Sequence, residues 1–176
     1  MLSKRLTFFL LVLCGAKAYA QPQAMEAHRL LAAFTLNFAR FSEWPARVYA
    51  SNHAPFRVCV MGEESLAHAF QPLTKKSIGS HPIEVQTSVW LERPQNCQLI
   101  FVQRTEREAL GRLFAAIADL PVLTIGEMPG FTDTGGVINL FTEHERMVFE
   151  VDLSNARRAN IKLSSRLLKL AEHVKE

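Results

Sequence analysis

Residues 56–62, with the sequence FRVCVMG, decide the fold of this 176-residue chain. The run is apolar except at Arg57 and at the final Gly62. Such a run predicts a strand that is buried on both faces, which is the usual state of a strand in a parallel sheet. Gly62 ends the strand, and residues 63–73 have the apolar spacing of an amphipathic helix. The first unit of the fold is therefore a strand followed by a helix.

The same alternation continues toward the C-terminus. Further strands are predicted at residues 83–89, 97–102, 121–125, 137–140 and 147–153. Thr105 and Glu108 have the spacing of a capping box, so a helix is expected after the strand at 97–102. The last two strands are predicted to form a hairpin. The predicted fold is single-domain α/β, a three-layer sandwich with helices on both faces of a mixed sheet, which has a parallel centre and an antiparallel edge hairpin.

A helix is predicted on each side of this alternating region. In residues 30–45, LLAAFTLNFARFSEWP, apolar side chains recur at helical spacing and form a stripe, which is interpreted as core, with a docking element as the alternative. Proline disfavours a helical conformation for the preceding residue, so this helix is expected to end near Glu43. Trp44 is left as either a core residue or an exposed anchor. At the other end, Ser164 is expected to cap a last helix that buries Leu170 and Val174.

The N-terminus has the pattern of a secretory signal peptide. Lys4 and Arg5 precede an apolar run at residues 6–13, and AYA at residues 18–20 supplies small residues at the two positions that a signal peptidase reads. We expect cleavage before Gln21. The expected organisation is a signal peptide, 1–20, and an α/β domain, 21–176.

Two alternatives to a cleaved signal peptide are disfavoured. An uncleaved anchor is disfavoured because the apolar run is shorter than the roughly 20 residues that span a bilayer. A lipoprotein attached through Cys14 is disfavoured because Leu13 stands where a small residue is required. The expected location is the periplasm.

Export changes the charge balance of the chain. The full sequence has 20 Lys and Arg residues against 17 Asp and Glu residues, and Lys4, Arg5 and Lys17 leave with the signal peptide. The mature domain is then formally neutral. A neutral domain without a basic stripe gives no indication of a nucleic-acid partner.

Two cysteines, Cys59 and Cys97, remain after the predicted cleavage. An even count in an oxidising compartment favours a disulfide, with two buried free thiols as the alternative.

No catalytic or metal-binding pattern is present in the sequence. The mature chain has six histidines, and none lies at the HxH or HExxH spacing of metal ligands: His28, His53, His68, His81, His144 and His173. There is no GxSxG nucleophile motif. We therefore expect no catalytic residue, no metal and no cofactor, and the chain is not predicted to be an enzyme.

The glycine-rich segment 126–136, GEMPGFTDTGG, has two readings. It is either a turn into the hairpin or a mobile lip beside a ligand cleft. In open α/β sheets, ligands bind outside the carboxyl ends of the strands. Arg104 and Glu127 follow two of the predicted strands, so they are the candidate ligand-binding residues, with Arg104 as a donor to an anionic group.

Several of these motifs together resemble the YfiR-like family of small periplasmic proteins. The segment 30–45 resembles the opening helix of that family. Other segments resemble its central strand, its glycine-led hairpin and its C-terminal signature: PVLTIGE at 121–127, GGVINL at 135–140, FEVD at 149–152 and ARRANIKLSSRLLKLA at 156–171. The likeness runs from about residue 27 to residue 171.

The resemblance implies a function. The better-understood members restrain a membrane diguanylate cyclase, so the chain is expected to bind the periplasmic sensor segment of an inner-membrane signalling protein, a diguanylate cyclase or a kinase, and to affect cyclic-di-GMP. The alternative is a periplasmic sensor module for a small ligand, and a homodimer is a further option. The resemblance also supports pairing of Cys59 with Cys97.

A regulator that holds another protein needs exposed aromatic anchors. The candidates outside the expected core are Trp44 after the first helix, Trp90 beyond the alternating strand, and Phe131 in the glycine-rich segment.

Overall fold

A mixed eight-stranded sheet runs through the protein, with helices packed on both of its faces. The computed structural model describes residues 20–88, 90–105 and 107–176. The predicted signal peptide lies almost entirely in residues 1–19, outside the described residues, so that prediction is not tested.

The elements follow the alternation expected from the sequence. The strands are β1 (Ser42–Glu43), β2 (Phe56–Met61), β3 (Ser77–Ile78), β4 (His81–Ser88), β5 (Leu99–Val102), β6 (Leu123–Gly126), β7 (Ile138–Glu143), β8 (Arg146–Asp152), β9 (Lys162–Leu163) and β10 (His173–Lys175). The helices are α1 (Ala20–Arg40), α2 (Glu64–Phe70), α3 (Arg107–Ala116), α4 (Leu153–Arg158) and α5 (Ser165–Leu168).

The order of strands in the large sheet is β10-β8-β7-β6-β5-β2-β4-β3. Strands β4, β2, β5, β6 and β7 run parallel to one another, and the hairpin β7–β8 is antiparallel. The predicted α/β sandwich with a parallel centre is therefore confirmed. One detail differs, because β10 pairs with β8 and so covers the edge that the hairpin was expected to leave open.

The central strands send alternate side chains into two separate cores. In β5, Leu99 and Phe101 enter a core beneath α1 and α2, whereas Ile100 and Val102 enter a core beneath α3. All four side chains are buried. This double burial is the physical reason for the continuous apolar runs in the sequence.

The first helix ends earlier than predicted, at Arg40 rather than near Glu43. The Ser42 hydroxyl donates a hydrogen bond to the Phe38 carbonyl (2.7 Å), and the Phe41 carbonyl accepts one from the Ser164 amide (2.9 Å). These bonds satisfy carbonyls at the helix end and direct the chain into β1, which pairs with β9. The apolar stripe of α1 packs in the core, as expected from the interpretation of this stripe as core rather than as a docking element.

The prediction of a long C-terminal helix is wrong. The Ser164 hydroxyl accepts a hydrogen bond from the Leu167 amide (3.2 Å), as expected of a cap, but α5 has a single turn. The chain then extends into β10, so Leu170 and Val174 are 71% and 41% exposed rather than buried. Pairing with β8 outweighs the helical spacing of these side chains.

A disulfide joins Cys59, in β2, to Cys97, which lies two residues before β5. The two strands are neighbours in the sheet and both sulfurs lie in the core beneath α3. The bridge therefore ties β2 to the segment that leads into the neighbouring strand β5.

Replacing both cysteines, Cys59→Ala with Cys97→Ala, is expected to lower the free energy of unfolding by about 4 kcal/mol, because the bridge closes a loop with a sequence separation of 38. Urea denaturation of the double variant and of wild type, with and without reductant, measures the difference. Thiol counting on the oxidised protein should give no free thiol. Two reactive thiols in unreduced wild type would contradict the pairing.

Candidate functional site

The carboxyl ends of the parallel strands form a rim that contains both predicted ligand-binding residues. Arg104 lies two residues after β5, and Glu127 follows β6 directly. Both side chains line a cavity of about 540 Å³. Its other walls come from the glycine-rich segment, from β7 and β8, and from His173 at the start of β10. The topology therefore places the two residues in one site, where ligands bind in open α/β sheets.

Hydrogen bonds fix the neighbouring strand ends to each other and to α1. The Gln103 side-chain oxygen accepts a bond from the Glu63 amide (2.9 Å), which links the ends of β5 and β2. His28 of α1 is only 9% exposed, and its Nδ1 lies 3.3 Å from the Ser65 hydroxyl. Its Nε2 lies 3.6 Å from a Glu63 carboxylate oxygen. The ends of β2 and β5 are thus held to each other and to α1.

Burial raises the pKa of Glu127 above its ordinary value of 4.5, while the positive charges of His28 and Arg104 act in the opposite direction. Within the described part of the chain, no ion pair of 4.0 Å or less joins Arg104 to Glu127. The carboxyl group therefore lies in a cavity that penalises its charge without a direct ion pair to that arginine.

Hydrogen bonds also hold the glycine-rich segment against the sheet. The Asn139 side-chain oxygen accepts a bond from the Met128 amide (3.1 Å), and the Asn139 amide group donates to Glu150 (3.3 Å). Glu150 also accepts a bond from the Thr132 hydroxyl (2.9 Å). Lys175 of β10 donates to Thr132 (3.0 Å) and to Asp133 (2.6 Å), and the bond to Asp133 is the main reason that the pKa of Lys175 is raised. These contacts favour the interpretation of the glycine-rich segment as a turn into the hairpin over that of a mobile lip.

Sequence reasoning missed the roles of Asn139 and Glu150 in this network. A signal for Asn139 was present, because it is the polar residue in the apolar run GGVINL. A buried asparagine in such a run needs hydrogen-bond partners, and here the partners are the backbone of the glycine-rich segment and Glu150. Glu150 alternates with apolar neighbours in its strand, so nothing in the sequence distinguished it from a solvated residue.

Phe131 was predicted to be an exposed anchor, and this prediction is wrong. Its side chain is fully buried in the core beneath α3, with its ring centre 5.7 Å from that of Phe114. Glycines make the room, since a Cβ at Gly126 or at Gly136 would lie 2.4 Å or 2.1 Å from the Phe131 ring.

The two tryptophans differ in their surroundings. Trp44 is half-buried, its ring meets Phe56 edge-on at 4.9 Å, and its indole N–H donates to the Gln98 carbonyl (3.1 Å). These contacts favour the core reading of Trp44 over the anchor reading. Trp90 is 40% exposed, and the Arg112 guanidinium lies over its ring at 5.4 Å.

Phe131→Ala is expected to lower the free energy of unfolding by about 3–5 kcal/mol, because it empties a ring-sized volume in a packed core. Trp90→Ala is the matched control, and its exposed side chain predicts a loss below about 1 kcal/mol. Urea denaturation of both variants measures the two values. A Phe131→Ala protein as stable as wild type would contradict the packing of the Phe131 ring against Gly126 and Gly136.

The fold and this rim define an α/β domain whose strand ends border a cavity lined by both charged and apolar side chains. Within the described ranges no cluster of three or more His, Cys, Asp or Glu residues is arranged to hold a metal ion. No helix among residues 20–88, 90–105 and 107–176 combines the length and the apolar character that a membrane span requires.

The chain belongs to the YfiR/HmsC-like family, whose profile matches residues 28–172. This confirms the resemblance drawn from the motifs, and it places the chain in a family of periplasmic regulatory proteins. A search of curated proteins gives no match.

Two solved structures are similar to the chain, and one of them has a TM-score above 0.5. One is the ABC domain in complex with L-Trp from Streptococcus pneumoniae, at 10% identity and a TM-score of 0.55, with 81% of this chain and 60% of that chain covered. The other is a conserved domain protein from Vibrio cholerae O1 biovar El Tor strain N16961, at 12% identity and a TM-score of 0.46, with 68% and 55% covered. The chain thus spans less than two thirds of each. At 10% identity, the likeness to the Streptococcus pneumoniae domain concerns the fold alone.

Proposed function

We propose that the protein is a periplasmic regulator that binds and restrains the periplasmic sensor segment of an inner-membrane diguanylate cyclase. The observation that carries the proposal is membership of the YfiR/HmsC-like family over residues 28–172. The predicted signal peptide is consistent with it. The protein would act by binding, so the relevant feature of its structure is a surface that another protein can contact.

Trp90 is the best anchor for such a contact. It is a large apolar side chain exposed at 40%, and tryptophan and arginine are the residues that dominate binding energy at protein interfaces. Arg112 stacks on its ring, so both types of residue are presented together. A cavity of about 490 Å³ adjoins the ring, lined by the end of β4 and by residues 90–93 and Asn96. A side chain of the partner could enter this cavity.

Trp90→Ala is expected to weaken binding to the cyclase sensor segment by at least about 2 kcal/mol, a rise of roughly 30-fold in Kd. Its unfolding midpoint should stay close to wild type. Titration calorimetry with the purified sensor segment measures the affinity, and cellular cyclic-di-GMP reports the consequence, which should be a rise toward the level of the gene deletion.

Trp44→Ala is the control for this experiment, because its contacts to Phe56 and Gln98 predict lost stability. If Trp90→Ala binds the sensor segment with wild-type affinity, Trp90 does not belong to the interface. Unchanged cyclic-di-GMP in the deletion strain, with no membrane protein recovered in a periplasmic pull-down, would overturn the function itself.

A second candidate, a sensor for a small polar ligand, is favoured by the cavity that Arg104 and Glu127 share. Arg104 offers donors to an anionic group, and Glu127 and Glu150 offer acceptors to a cationic one. Native mass spectrometry of the protein with small anions and with amino acids tests this candidate. Arg104→Gln should abolish any complex that forms through an anionic group.

Glu127→Gln is expected to stabilise the protein at pH 7, since a raised pKa in the folded state means that ionisation of Glu127 opposes folding. The stability that the protonated group contributes is fully present below its unfolded pKa and is lost as the pH rises through the folded value. The advantage of the variant should therefore vanish near pH 4. Thermal unfolding from pH 4 to pH 8 measures it, with Glu145→Gln on the exposed hairpin tip as control. A variant less stable than wild type at pH 7 would contradict the effect of burial.

A further inference from the structure

The segment from α4 to the end of α5 has an unusual charge. Residues 156–171 contain no Asp or Glu and five basic residues, all of them exposed: Arg157, Arg158, Lys162, Arg166 and Lys169. The rest of the mature domain has twelve Lys and Arg against seventeen Asp and Glu. The domain is therefore neutral as a whole, but its charge is divided into +5 on this segment and −5 elsewhere.

Packing places these cations on one side of the segment. Ile161 and Leu167 are buried in the core beneath α1 and α2, together with Ala156 of α4. Lys162 follows Ile161 at the start of β9, and successive side chains of a strand point in opposite directions. Lys169 lies two residues after Leu167, about half a helical turn away from its inward direction. The five cations thus form one outward surface, the basic face, although apolar residues separate them in the sequence.

The charges of the basic face are not neutralised by nearby carboxylates. Within the described part of the chain, none of the five cations forms an ion pair of 4.0 Å or less. Arg157 and Arg158 donate hydrogen bonds to neutral side chains one turn earlier in α4. Glu43 lies opposite Lys162 in the pairing of β1 with β9, and it too is beyond ion-pair distance. The face therefore offers its positive charge to an external anion.

A large apolar side chain stands next to these cations. Leu170 is 71% exposed and directly follows Lys169. Its amide donates to the Leu167 carbonyl (3.0 Å), so the helical turn continues to Leu170 and places it on the same side as Arg166. Exposed basic residues beside an exposed apolar residue are the combination that binds the surface of an anionic bilayer.

We propose that the basic face binds the anionic headgroups of a phospholipid bilayer, with Leu170 inserted among them. Arginine donates paired hydrogen bonds to phosphate oxygens, and lysine contributes a point charge. A layer of headgroups places an anion opposite each of the five cations, whereas an acidic protein would need a carboxylate at each separate position. The inference goes beyond the proposed function, because binding to lipid needs no cyclase.

Vesicle co-sedimentation tests the proposal on wild-type protein purified from the periplasm. Vesicles of phosphatidylglycerol and phosphatidylcholine in equal parts should bind the protein, and vesicles of phosphatidylcholine alone should not. The binding should weaken as salt is added, because salt screens exposed charges. Absence of binding to the anionic vesicles, or equal binding to both kinds, would overturn the proposal.

A matched pair of double variants tests whether the basic face is the surface that binds. Arg166→Gln with Lys169→Gln should lower the partition coefficient on the anionic vesicles about 25-fold, because each cation near the surface is worth about fivefold. Lys75→Gln with Lys76→Gln removes the same charge from an exposed site before β3, at the opposite edge of the sheet, and should bind close to wild type. Equal losses in the two variants would mean that net charge alone decides, and would overturn the proposal.

Leu170→Ser tests the insertion of the apolar side chain without a change of charge. It should lower the partition coefficient about tenfold, because a leucine no longer leaves water. Its urea unfolding midpoint should match wild type, since the side chain is exposed. If Leu170→Ser binds the vesicles like wild type, the insertion is wrong. If the basic face is needed for binding the cyclase sensor segment while no vesicle binds, the face recognises a protein and the lipid proposal is wrong.

Discussion

The structure depends on strands that are buried on both faces. Strands β2 and β5 each supply side chains to two cores, and their backbones are hydrogen-bonded to each other. Apolar residues can therefore occupy nearly every position of these strands, and helices must cover both faces of the sheet. The disulfide joins β2 to the segment that leads into β5, so it links these same two neighbours in the sheet. The rim above these strands inherits their rigidity, because Gln103 and Glu127 follow β5 and β6 without a flexible linker.

The sequence predicted the parts of the fold in which local pattern and long-range packing agree. The runs at Phe56 and at Leu99 indicated buried strands, and buried strands are observed. Prediction failed where a distant partner decided the conformation. Ser42 and Glu43 leave the helix because β9 is there to pair with them, and Val174 becomes part of a strand because β8 has an open edge. Neither partner could be read from the residues themselves.

The site was predictable in its position and not in its details. The topology rule placed Arg104 and Glu127 at the same rim, and both line one cavity. Phe131 was misplaced because its polar neighbours suggested exposure, whereas the glycines at 126 and 136 that receive its ring lie several residues away on either side. A glycine can indicate a turn or the close approach of another group, and the sequence alone does not distinguish these two roles.

The bond between Lys175 and the glycine-rich segment has a consequence for the order of assembly during synthesis. Asp133 and Thr132 are held by a residue more than 40 positions later, on a strand that pairs in parallel with β8. A nascent chain that has emerged only as far as β8 can pair its central strands and form the bonds of Asn139 and Glu150, but it still lacks His173, which lines the cavity, and the two bonds of Lys175. The rim therefore reaches its final shape only after residue 175 has emerged, so the part of the molecule suited to binding is completed late in its biogenesis.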